Sequence, residues 1–138
     1  MLDSALRAVA VFAGGVLGTL ARWAIAQAVP PPAGGFPVAT FVANTSGAFA
    51  LGFVSIVLLE RLPTARYARL LLGVGFLGAY TTFSTMAVEG IQLLSHGSWK
   101  TAALYWIATL VVGQMCGVYG MWLARLRRPR RGTHGTER

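Results

Sequence analysis

Four stretches of this chain, residues 8–21, 23–59, 70–88 and 101–124, contain no Asp, Glu, Lys or Arg. A helix needs about 20 mostly apolar residues to cross a bilayer. Uncharged runs of this length, separated by short basic or Pro/Gly-rich joints, leave few folds open to a chain of 138 residues. The composition agrees: 55% of residues are hydrophobic and 12% charged, with a mean hydropathy of +0.60. The pattern predicts an all-α, polytopic membrane protein with four transmembrane helices, over residues 4–29, 38–59, 70–94 and 100–123. Asp3 and Arg7 precede a first apolar run too long for a cleavable signal peptide. Cys116 lies inside the last run, has no intrachain partner and reads as a small buried hydrophobe.

The net charge of +8 raises nucleic acid as a partner, and its placement argues against it. Arg125, Arg127, Arg128, Arg130 and Arg131 follow the last apolar run. There they would flank a membrane segment and meet anionic headgroups. Residues 1–126 therefore read as the membrane domain. Residues 127–138, with no apolar face, read as a basic, disordered tail.

Polar residues inside the apolar runs mark candidate sites, because buried polar groups in hydrocarbon must find partners. In the first run, Gly14 and Gly18 form a small-xxx-small pair that lets another backbone approach. Arg22, one turn on, either snorkels to the interface or faces a cavity. In the second run, Asn44 offers two donors and an acceptor. It serves an interhelical hydrogen bond or lines a polar path. The third run carries Gly78-Ala79-Tyr80-Thr81-Thr82-Phe83-Ser84-Thr85-Met86, with four hydroxyls between Thr81 and Thr85. This stretch is either a helix whose hydroxyls back-bond to its own carbonyls or an interrupted helix with free ends that bind ions. Glu89 is the acidic residue just beyond, a solvated helix-end group or a vestibule group. In the fourth run, Tyr105, Thr109 and Gly113 are four apart and share one face.

These intramembrane groups are mostly uncharged donors: Asn44, Thr81, Thr82, Ser84, Thr85, Tyr105 and Thr109. Phe83 adds the positive edge of an aromatic ring. Together they suit passage of a small, strongly hydrated anion, and they suit a proton-coupled pump poorly.

Three segments carry a resemblance. They are Gly14-Gly15-Val-Leu-Gly18-Thr-Leu-Ala-Arg22, Thr40-Phe-Val-Ala-Asn44-Thr-Ser-Gly47, and Gly75-Phe-Leu-Gly78-Ala-Tyr-Thr81-Thr82-Phe83-Ser84-Thr85. In this order they closely resemble the bacterial fluoride channels, the Fluc/CrcB family. The resemblance implies a broken third helix and an antiparallel, dual-topology dimer in the cell membrane. It also implies two narrow pores that passively export cytoplasmic fluoride, and a structural Na+ ion on the dimer axis. It places that sodium on backbone carbonyls of Gly78 and Thr81. Asn44, Thr82, Phe83, Ser84, Met86, Tyr105 and Thr109 would line the pore, with Arg22 and Glu89 in its vestibule. Met86 departs from the pattern, standing where the family has a second phenylalanine, and Thr109 stands where a Ser is expected.

The runner-up is a small dual-topology proton-coupled exporter, which would need a carboxylate deep in a helix. A structural subunit without transport would leave the clustered donors unexplained. With four spans, ten basic residues fall on the side of the termini, and Arg22 and Lys100 on the other. Setting aside residues 125–138 leaves four against two, a bias weak enough for both orientations. An antiparallel homodimer is thus favoured over an antiparallel heterodimer with a paralogue.

Overall fold

A computed structural model describes residues 2–30, 34–62 and 64–126. The basic tail therefore lies outside the described residues. Helix α1 spans Leu2–Ala28, and α2 spans Val38–Ile56, running on in wider π-type turns over Val57–Arg61. The third span comprises α3 (residues 66–80, π-wound over Arg69–Leu77) and α4 (Phe83–Ser95). Helix α5 spans Trp99–Leu126. Among the described residues, four helical segments are long and apolar enough to cross a membrane: Leu2–Ala28, Val38–Ile56, Arg66–Ser95 and Trp99–Leu126. Their outward faces carry bare apolar side chains such as Phe12, Leu104, Ile107 and Leu110. This is the surface a lipid solvent wants. The protein is a multi-pass membrane protein.

The third span starts four residues before the predicted position 70. Two arginines, Arg66 and Arg69, kept those residues out of the uncharged run, but each can reach water from a helix end along its aliphatic stem. Between α4 and α5 the chain turns at Gly97, whose φ of 75° lies in the left-handed region. The Gly97 N–H donates to Leu94 O at 3.0 Å and the Ser98 N–H to Leu93 O at 2.9 Å. This doubly bonded stop ends α4 and starts α5 two residues later.

The helices associate chiefly as two pairs, α1 on α3 and α2 on α5, with α4 also packed on α5. Glycine makes both pairings close. A Cβ added at Gly14 or Gly18 would overlap the Leu71 or Phe76 carbonyl oxygen across the α1–α3 contact. At Gly52 and Gly120 it would overlap the Gly117 and Phe49 carbonyls between α2 and α5. The predicted role of Gly14 and Gly18 is thus met by α3. Gly18→Leu should cost about 1–3 kcal/mol by overpacking, seen as a lower melting temperature in detergent. Gly15→Leu, with open space around its Cβ, should cost much less.

Polar contacts at the helix ends fix which ends share a side. Tyr67 Oη donates to Asp3 at 2.7 Å, Arg66 lies 3.5 Å from the same carboxylate, and Arg7 pairs with it too. The starts of α1 and α3 therefore lie together. Arg125 at the end of α5 lies 3.7 Å from Glu60 beyond α2, so those two ends also meet. Exposed ion pairs add little stability, but they register helices that run the same way.

Candidate functional site: a polar groove around residues 78–89

Helix α3 stops at Tyr80. Thr81 (φ −82°, ψ 152°) and Thr82 (φ −149°, ψ 121°) are extended, and α4 begins at Phe83. β-Branched threonines are indifferent helix formers, and three long-range features accommodate this conformation. Asn44 on α2 pairs with the Thr82 peptide twice: Thr82 N–H donates to Oδ1 at 2.8 Å, and Nδ2 donates to Thr82 O at 3.0 Å. From α1, Arg22 Nε donates to Ala79 O at 3.1 Å and Nη1 to Thr85 Oγ1 at 3.4 Å. Gly47 provides room, because a Cβ there would overlap the Thr81 methyl group. Locally, Thr82 Oγ1 caps α4 by accepting the Thr85 N–H at 3.1 Å. An N-cap of this kind contributes about 1 kcal/mol.

Thr81 alone follows the back-bonded alternative, its hydroxyl donating to Leu77 O at 3.0 Å. Arg22 is half-buried, and its guanidinium bonds the end of α3 and the start of α4.

The polar residues of α5 are tied up differently. Tyr105 is fully buried and donates to Glu89 Oε2 at 2.6 Å, while Thr40 donates to Glu89 Oε1 at 2.9 Å. Glu89, half-buried on α4, is therefore the junction of α2, α4 and α5 rather than a solvated helix-end group. Thr109 is buried and donates to Tyr105 O at 2.6 Å, so its hydroxyl serves its own helix. Thr40 was not singled out by sequence reasoning. Its signal was the four-residue spacing from Asn44, which puts both on one face of α2.

None of Tyr105, Glu89 and Thr40 lines the groove of about 560 Å³ between α2, α4 and α5, whose walls include Asn44, Thr82, Phe83, Met86, Thr109, Ser55 and Gln114. The last two were also missed; Gln114 was legible as a lone amide in an uncharged run. Phe83 projects outward at 75% exposure, and Ser84 beside it is exposed too. Met86 is 5% exposed and packs with Leu93, Ala102 and Tyr105. The two candidate pore side chains thus line the same groove with opposite exposure. Gly78 and Thr81, the candidate cation ligands, flank the end of α3.

Chemically, the groove offers neutral groups, with one Asn44 N–H beyond those already bonded. Glu89 is not among its lining residues, and its two carboxylate oxygens accept the Thr40 and Tyr105 hydroxyls.

Comparison with known proteins gives the chain a family. A family model described as CrcB-like protein, Camphor Resistance (CrcB), matches residues 9–121. A fluoride-specific ion channel of Mycobacterium bovis is 48% identical over 123 residues, covering 88% of this chain and 92% of its own. One of Mycolicibacterium paratuberculosis is 45% identical over 122 residues, covering 88% and 92%. One of Hydrogenobaculum is 42% identical over 117 residues, covering 85% and 96%. The matched region begins within α1, ends within α5 and includes every residue of the groove. On that coverage, the chain belongs to the CrcB-like family.

Proposed function

We propose that this chain is a fluoride-selective channel that lets fluoride accumulated in the cytoplasm leave passively. The observation that carries the reading is the groove itself, in which uncharged polar groups from α2, the extended Thr81–Thr82 pair and α5 converge within apolar spanning segments. An anion leaving water needs replacement donors of modest strength, so that it can enter and also leave. Asn44, Ser84 and the edge of Phe83 are such groups. Thr82 and Thr109 contribute mainly as wall, their protons being directed at Ser84 or Thr85 and at Tyr105 O respectively, while Tyr105 is buried outside the lining with its proton on Glu89. The test is fluoride efflux from liposomes containing only this chain. Rapid loss of fluoride with no loss of chloride, unchanged when the proton gradient is collapsed, is expected. Flux that needs the gradient would point instead to a proton-coupled exporter.

The working unit in this reading is an antiparallel homodimer. Phe83 supports it: a large ring facing outward at membrane depth beside Ser84 can wall a narrow path only with a second subunit. For Cys116→Ala carrying His96→Cys, an impermeant thiol reagent should label about half the protein on intact cells, as equal numbers of both orientations require. Complete labelling would mean a single orientation and a different partner chain.

A structural sodium ion held by the Gly78 and Thr81 carbonyls belongs to the same proposal. The residues fit it, because the backbone turns extended at Thr81 and ends the helix there. Neutral carbonyl oxygens are what a hard cation takes, and half-helix ends supply them at membrane depth. Bound there, the ion would supply fixed positive charge near the path.

A further inference from the structure

We propose that Asn44 and Thr82 are positioning residues for the cation: their side chains hold the two amide protons that would otherwise occupy its carbonyls. This inference rests on the reading of Gly78 and Thr81 as sodium ligands. In a continuous α-helix each N–H bonds the carbonyl four residues back. The partner of the Gly78 carbonyl would then be the Thr82 N–H, and that of the Thr81 carbonyl would be the Thr85 N–H. Both amides are engaged elsewhere. Thr82 N–H donates to Asn44 Oδ1 at 2.8 Å, and Thr85 N–H donates to Thr82 Oγ1 at 3.1 Å.

The pairing is selective. Asn44 returns a bond to Thr82 O at 3.0 Å, so its amide lies flat against the peptide and cannot turn away without breaking both contacts. Arg22 meanwhile occupies one of the two carbonyls between those of Gly78 and Thr81, Ala79 O, at 3.1 Å. One carbonyl of this turn thus receives a guanidinium, while the two on either side are relieved of their helical donors. Gly78 carries no side chain, and a Cβ placed there would meet only open space. Asn44 therefore does more than face the groove: it keeps the Thr82 amide from closing the helix over a ligand oxygen.

The test uses the purified full-length chain in detergent, with its melting temperature followed as Na+ replaces N-methylglucamine at constant ionic strength. Wild type should be stabilised by Na+ with a measurable midpoint concentration. Thr82→Val keeps the shape but loses the acceptor, and should raise that midpoint about tenfold or more. Thr82→Ser, which keeps Oγ, should restore it to near wild type. Asn44→Leu should shift it like Thr82→Val, and Asn44→Asp, which keeps an oxygen facing the Thr82 amide, should shift it less. Ile56→Ala, a buried truncation elsewhere on α2, should lower the melting temperature without moving the midpoint. A wild-type midpoint in either Thr82→Val or Asn44→Leu would overturn the positioning role and leave the sodium reading intact. No Na+ dependence in wild type would overturn the sodium reading itself, and this inference with it. Should Asn44→Leu not fold, the two Thr82 variants decide alone.

Discussion

Asn44→Leu should cut fluoride flux in liposomes by about 100-fold or more, while the protein still inserts and purifies. Two losses act together. The groove loses the Asn44 N–H that is not already bonded, and an unreplaced donor in a water-poor path costs about 2–7 kcal/mol; about 3 kcal/mol already corresponds to the stated factor. The Thr82 peptide also loses both of its Asn44 partners, so the extended Thr81–Thr82 pair is no longer held. Asn44→Asp separates the two effects. It keeps an acceptor for Thr82 but puts a negative charge on an anion path, so flux should fall at least as far while the fold is better kept. Wild-type flux in Asn44→Leu would take Asn44 out of the path.

Phe83→Ile should give a comparably large loss of flux, with a melting temperature close to wild type. With three-quarters of its surface exposed, Phe83 contributes little packing within its own chain. What the substitution removes is the ring and its positive edge, which no aliphatic side chain replaces. Met86 makes the opposite comparison. It is buried against Tyr105 and Leu93, and its carbonyl accepts the Trp106 indole N–H at 3.3 Å. Met86→Phe should therefore register first as stability, about 1–3 kcal/mol of overpacking, whatever it does to flux. Normal conduction by Phe83→Ile together with lost conduction in Met86→Ile would reverse the two roles.

Much of the architecture was legible because it is written locally. Span number follows from the absence of charge over a bilayer's thickness, and Gly14 and Gly18 announce a close contact by spacing alone. The destinations of polar groups are not local, and there the sequence is silent. Nothing in the neighbourhood of Thr109 says that its hydroxyl turns to Tyr105 O rather than into a path. Nor does the position of Glu89, two turns beyond Thr81, say that Tyr105 and Thr40 will both find it. Asn44 advertises a need for partners, but its partner is a peptide 38 residues away, exposed only because two threonines are extended. The start at Arg66 escaped for a simpler reason: charge at a helix end looks like a loop when only composition is counted.

The glycine contacts have a consequence for time. Where α1 meets α3 at Gly14 and Gly18, and α2 meets α5 at Gly52 and Gly120, main chain lies on main chain with no side chain between. Side chains are the compressible part of a helix contact, since they can change rotamer and let two helices slide; bare backbones can only separate or stay. Each pair should thus move as one stiff body, and rocking one helix of a pair against the other would open a void. The groups left free to move at the groove are exposed side chains of its lining, such as Phe83 and Gln114. Exposed side chains reorient in picoseconds to nanoseconds, whereas helix and domain rearrangements take microseconds to milliseconds. A path whose moving parts are all of the first kind has no slow conformational step to set its turnover.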